Sequence, residues 1–253
     1  MSFSPDTALA GHVAPSPNHD ARTVPIDMLL LHYTGMRSAQ AAQDRLCDPA
    51  AKVSSHYLVH EDGGICQMVP EARRAWHAGV ASWHGDIDIN SRSIGIEIAN
   101  PGHDYGYPDF PEAQIDAVIA LCRDILTRNK IPSARVLAHS DVAPARKNDP
   151  GEKFPWHTLA QAGIGLWIEP TRIVPGPELD PGDRSAFVSS LQAALREFGY
   201  GLDMTGDYDE ATRAVVIAFQ RHYRPARVDG IVDHSTLDTL KRLLALTQAT
   251  PTA

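Results

Sequence analysis

Between two more regular regions lies "IVPGPELDPGDRS", residues 173–185, with three prolines and two glycines. Proline cannot extend a helix or pair within a sheet, and glycine weakens both, so no regular element crosses this stretch. It divides the chain into two halves of different grammar. Upstream, "IDMLLLHYT", "HYLVH", "ICQMV", "SIGIEIAN" and "RVLAH" are short apolar or β-branched runs bounded by turn residues, which predicts strands. "SAQAAQDRLC" and "PEAQIDAVIALCRDILTRN" carry apolar residues at three-to-four spacing and predict helices, Pro111 opening the second. Downstream, "FVSSLQAALREFGY", "EATRAVVIAFQRHY" and "HSTLDTLKRLLAL" predict three amphipathic helices with no strand. The expectation is an α/β domain over residues 1–175, with a mixed central sheet flanked by helices. A linker over 176–183 and a small all-α three-helix domain over 184–253 follow. Few contacts are expected to cross such a linker.

The downstream half has a weak internal repeat. "GDYDEATRAVV" from Gly206 and "GIVDHSTLDTL" from Gly230 both give Gly, Asp at +3 and Thr at +6 at a helix start. The glycine suits a turn with positive φ, and the aspartate can accept hydrogen bonds from first-turn amides.

Composition mainly excludes. The chain has 253 residues, 43% hydrophobic and 21% charged, ordinary for a globular protein. A formal charge of −8 offers no basic face for nucleic acid. The longest apolar runs fall far short of the ~20 residues needed to cross a bilayer. The N-terminal stretch lacks the basic start and apolar run of a signal peptide. Cys47, Cys66 and Cys122 are odd in number and lack C-x-x-C spacing, which predicts plain thiols rather than disulfides or a cysteine zinc site. The first of them stands too late for an N-terminal lipid anchor.

Position separates the candidates among the twelve histidines. His32 ends the run "MLLL" and His139 ends "RVLA". Two strands ending in histidine can bring both imidazoles to one rim of a sheet, where Asp149, from the following loop, supplies a third ligand. A His, His, Asp set leaves one position of a tetrahedral Zn²⁺ open for water, as in a catalytic site. Such a water needs a base, and Glu97 is a carboxylate set between Ile96 and Ile98 in an otherwise apolar strand. Lys147 would repel a metal if binding were the only purpose, but suits a carbonyl oxygen that gains negative charge.

Taken together, "SPNHDAR", "LHYT", "SSHYLV", "AWHAG", "SIGIEIAN" and "HSDVAPARKNDPG" resemble the zinc N-acetylmuramoyl-L-alanine amidases of the AmpD/AmiD type, related in fold to the peptidoglycan recognition proteins. The resemblance implies His32, His139 and Asp149 as zinc ligands, Glu97 as catalytic acid/base and Lys147 as oxyanion stabiliser. Tyr57, Trp76, His77 and Asn100 lie in the same motifs and are expected to shape the substrate groove. His56, His60 and His84 receive no role. The downstream half resembles a three-helix peptidoglycan-binding module, with Asp209 and Asp233 where glycine is common and Thr205 where aspartate is common. The implied activity is hydrolysis of the amide between the lactyl group of N-acetylmuramic acid and L-alanine of the stem peptide. Peptidoglycan or muropeptides are the implied partners, in the cell envelope or periplasm; the missing leader leaves the cytoplasm as the alternative. The competing readings are a wall-sensing protein without activity, against which all five positions are filled, and a zinc peptidase, for which no H-E-x-x-H motif is present.

Overall fold

The computed structural model describes residues 3–249; the ends of the two expected domains at 1–2 and 250–253 lie outside the described residues. A six-stranded sheet runs in the order β1 (His12–Val13), β5 (Ile65–Gln67), β4 (Tyr57–Val59), β7 (Ser93–Ile98), β3 (Met28–Tyr33), β8 (Val136–Ala138). Only β4 and β5 pair antiparallel; every other neighbour is parallel, so the sheet is mixed as expected. The five predicted strands are β3, β4, β5, β7 and β8. The polar pair β2 (His19–Ala21) and β6 (Arg73–Ala75) forms a separate two-stranded ribbon. The predicted helices are α1 (Ala39–Cys47), whose N-cap Ser38 accepts from the amide of Ala41, and α3 (Glu112–Arg128), which Pro111 precedes. Short helices α2 (Ile89–Arg92), α4 (His139–Val142) and α5 (Trp156–Gln161) complete the first half.

Strand β3 is buried on both faces, which its unbroken "MLLL" foretells for a parallel strand. Its alternate residues serve different cores. Leu29 and Leu31 join Ile94, Ile96 and Ile98 under Ile115, Val118, Leu121 and Ile125 of α3. Met28 and Leu30 face the opposite way, into a cluster with Trp83, Leu137, Val142 and the second half of the chain.

That second half consists of α6 (Ala186–Phe198), α7 (Glu210–Tyr223) and α8 (His234–Ala249). The repeat works as its residues suggest. Gly206 and Gly230 have φ of 78° and 77°. The Asp209 and Asp233 carboxylates each accept from an amide at +3, of Thr212 and Thr236, at 2.8 Å.

The expectation of few contacts across the linker is not met. Val188, Leu191, Leu195, Phe198, Leu240 and Leu243 continue the Met28–Leu30 core without a break. Trp83, 1% exposed, packs edge-on against Phe198 and Tyr200, and only a glycine fits against its indole at Gly199. The linker is tied down as well. Leu179 exchanges two backbone hydrogen bonds of 3.0 Å with Val232, and the Gly182 amide donates to the Tyr208 carbonyl. The physical reason is the sheet: a parallel sheet needs both faces covered, and here α3 covers one and the three-helix bundle much of the other. No helix among the described residues is long and apolar enough to cross a membrane.

Candidate metal centre and active site

Register places the polar residues. His32 of β3 stands directly opposite Glu97 of β7. On the other side Leu31 pairs with Ala138, so His139 follows at the level of His32. Three adjacent parallel strands thus deliver Glu97, His32 and His139 side by side at their carboxyl ends, where ligands gather in sheets of this kind. The segment after α4 returns Asp149 to them, and the Ser140 amide donates to the Asp149 carbonyl at 3.0 Å.

His32 Nδ1, His139 Nδ1 and Asp149 Oδ2 lie 2.9–3.1 Å from one another, all three residues buried. Their outer contacts assign the tautomers. His139 Nε2 meets the Ala78 carbonyl at 3.0 Å and must donate, because a carbonyl only accepts. For His32 the chain is longer. Ser93 Oγ donates to the Ile89 carbonyl at 2.6 Å and therefore accepts from His77 Nε2 at 3.2 Å. His77 Nδ1 is then an acceptor, and His32 Nε2 donates to it at 3.0 Å. When neutral, as a metal ligand has to be, each ring therefore turns a bare Nδ1 lone pair towards the Asp149 carboxylate. Three acceptors face one another with no hydrogen between them, an arrangement that a bound cation stabilises.

The donor set fits Zn²⁺. Atoms bound at ~2.0–2.2 Å to a tetrahedral ion stand roughly 3.3–3.6 Å apart, close to the spacing present before any ion is considered. Burial, then the nearby His139, lowers the His32 pKa to about 4, so that ring is neutral at ordinary pH.

Beside this centre a cleft of about 440 Å³ is lined by His32, His139 and Asp149 together with Tyr33, Trp76, His77, Glu97, Arg146 and Lys147. Glu97 is half-buried, and its Oε2 has no hydrogen-bond partner among the described residues. Burial, reinforced by the charge of Asp149 and opposed by Lys147, pushes its carboxyl well above the usual range. Lys147 is anchored by its backbone, whose amide donates to the Ala143 carbonyl, and no ion pair among the described residues holds its ammonium.

The four expected groove residues separate. Trp76 stands on the cleft wall with its indole N–H donating to Asp20 at 2.7 Å. His77 reaches the cleft but is 9% exposed, with both ring nitrogens engaged in orienting His32. Gly95 makes room for it, since a Cβ there would meet the imidazole at 2.6 Å. Tyr57 is not brought to the cleft: it is fully buried, and its hydroxyl donates to Glu71, which pairs with Arg128 of α3. Asn100, 3% exposed, is used within its own loop, donating to the Pro108 carbonyl and accepting from the Gly102 amide. Of the histidines without a role, buried His56 accepts from the Gly95 amide, and His60 and His84 line no part of the cleft.

Sequence reasoning missed several supporting groups. The Ala78 carbonyl receives both His139 and the Arg146 guanidinium, the latter at 2.7 Å, and Asn90 Oδ1 accepts the amides of His77 and Ala78. "AWHAG" marked the place but not the backbone oxygen within it.

A His, His, Asp cluster able to hold a metal, flanked by a carboxylate and an ammonium that lack partners among the described residues, has the make-up of a water-activating hydrolase. The family profile described as N-acetylmuramoyl-L-alanine amidase matches residues 22–152, and a peptidoglycan binding domain profile matches residues 184–240. N-acetylmuramoyl-L-alanine amidase AmiD of Escherichia coli (strain K12) is 38% identical over 240 residues, covering 87% of this chain and 82% of that protein. A solved complex of that E. coli enzyme with the substrate anhydro-N-acetylmuramic acid-L-Ala-D-gamma-Glu-L-Lys is similar with a TM-score of 0.76 and 36% identity, over 90% of this chain and 92% of that one. The structure of AmpDh3 from Pseudomonas aeruginosa gives a TM-score of 0.74 at 29% identity, over 98% and 100%. The chain belongs to the N-acetylmuramoyl-L-alanine amidase family.

Proposed function

We propose that the chain hydrolyses the amide between the lactyl group of N-acetylmuramic acid and the L-alanine of the stem peptide, in turnover or recycling of peptidoglycan. The observation that carries the reading is the trio of mutually facing acceptors at His32, His139 and Asp149. These residues would hold Zn²⁺, which when bound supplies Lewis acidity and a lowered pKa for water. Glu97 takes a proton from the attacking water and returns one to the departing amine of L-alanine. Its raised pKa suits a group that must hold a proton between the two steps. Lys147 places its ammonium where the carbonyl oxygen gains negative charge. Trp76 offers a flat wall to the sugar or peptide, and His77 acts by fixing the His32 tautomer.

Residues 1–175 carry the reaction and residues 176–183 lead into the bundle of 184–253. The relatives whose names and complexes involve anhydro-muropeptides, and the peptidoglycan binding profile over 184–240, support peptidoglycan fragments as substrates and work in the cell envelope. Digesting muropeptides and identifying products by mass spectrometry, alongside metal analysis, tests the reading. Free stem peptide beginning with L-alanine and one zinc per chain are expected. Fragments cut within the peptide would make the protein a peptidase, and no product a sensor.

A further inference from the structure

The second half of the chain holds the residues around the metal centre by two separate arms, both starting from the last turn of α7. The first is His222, fully buried and stacked at 3.7 Å on both Trp156 and Tyr223. Its Nδ1 lies 2.6 Å from Asp141 Oδ2 and donates to it. Asp141 is fully buried too, two residues beyond His139 in α4. The same Oδ2 accepts the Ala138 amide at 2.8 Å, closing the turn by which the chain leaves β8 and presents His139. Its Oδ1 accepts the Tyr200 hydroxyl at 2.7 Å. A single carboxylate therefore shapes the backbone at one ligand and is fixed by two side chains from beyond the linker.

The second arm is Arg221, whose guanidinium stands 3.4 Å from Glu152. Glu152 follows Asp149 by three residues. Its carboxylate meets His103 Nε2 at 3.2 Å, and His103 Nδ1 lies 3.0 Å from the hydroxyl of Tyr33, the neighbour of His32. Two consecutive residues of α7 thereby bracket the segments that carry all three ligands.

We infer that Arg221 and His222 are positioning residues for the metal centre, making the peptidoglycan-binding-like bundle part of the catalytic scaffold as well as a candidate wall anchor. The inference rests on the metal centre proposed above. A merely structural role would lower the melting temperature and leave a folded variant with ordinary metal properties. A positioning role moves the donor atoms, and outer supports of metal ligands typically contribute about 10–100-fold in affinity.

The test uses the full chain as R221A, R221K and H222Q. Zinc Kd is measured by competition with a chromogenic chelator, the visible spectrum of the Co²⁺-substituted protein is recorded, and kcat and KM are measured on a soluble muropeptide. R221A and H222Q are expected to weaken zinc by about 10–100-fold, alter the Co²⁺ bands and lower kcat with little change in KM, while R221K recovers part of the loss. Parental zinc affinity and parental Co²⁺ bands in R221A overturn the inference, whatever its melting temperature. R221A removes a single ion pair of a part-buried side chain and decides the matter if H222Q does not fold. A parent chain that binds no zinc overturns the metal reading, and this inference with it.

Discussion

Helix α4 stands between two buried clusters, each an aspartate faced by histidine. On one side Asp149 faces His32 and His139; on the other Asp141 faces His222 and Tyr200. Both oxygens of Asp141 are met by donors, from a hydroxyl, an imidazole and an amide. Around Asp149 the outer hydrogen bonds leave each imidazole, when neutral, presenting a lone pair to an oxygen that can only accept. A carboxylate met by donors at both oxygens holds structure together, whereas a cluster of acceptors is complete only with a cation. An aspartate beside a histidine does not tell them apart; hydrogen-bond direction does.

The sharpest way to break this contrast is to remove one acceptor from each cluster. His139→Ala should lose zinc affinity by more than the ~10²-fold that an outer partner contributes, and activity should vanish with it. Full zinc occupancy by elemental analysis in that variant would dissolve the distinction. Chelation should likewise abolish turnover, and added Zn²⁺ restore it.

Glu97 belongs to the unsatisfied side but holds no metal. Glu97→Gln is expected to keep its zinc and lose about 10²–10⁴-fold in kcat, the usual reach of a general acid/base. Lys147→Ala should follow with about 10²–10³-fold, as for one oxyanion donor. A near-parental rate in either removes that residue from the chemistry.

Smaller effects probe the satisfied regions. Burial, then the charge of Arg22, depresses the pKa of His56 to about 3 from its ordinary 6.5. A depressed folded-state pKa contributes stability that is whole above pH 6.5 and is lost as pH falls towards 3. Urea titrations should therefore weaken steadily over that range, and His56→Gln should flatten the slope. An unchanged slope would mean that His56 is not held neutral. Tyr200→Phe, which deletes one hydrogen bond to Asp141, should cost about 1–3 kcal/mol in urea unfolding, because a buried carboxylate loses a donor.

The sequence disclosed the site better than its supports. His32 and Glu97 were conspicuous because they interrupt near-continuous apolar runs, which strands buried on both faces require. The ribbon of β2 and β6, "HDA" against "RRA", has no apolar alternation and left no trace. Tyr57 misled because a motif tyrosine reads the same whether its hydroxyl meets ligand or Glu71. The bundle's amphipathic helices announced an apolar face without saying what it covers. The answer lay in Met28, Leu30 and Trp83, far away in the chain and unremarkable as letters.

That shared core sets an order of manufacture. Met28 and Leu30 leave the ribosome well before Leu240 and Leu243, which belong to the same apolar cluster. Translation commonly lets an N-terminal domain fold as a unit before its successor is made. Here one side of β3 stays bare until the bundle that shares its core has been made. Joining residues so far apart in sequence into one core favours slow completion after synthesis.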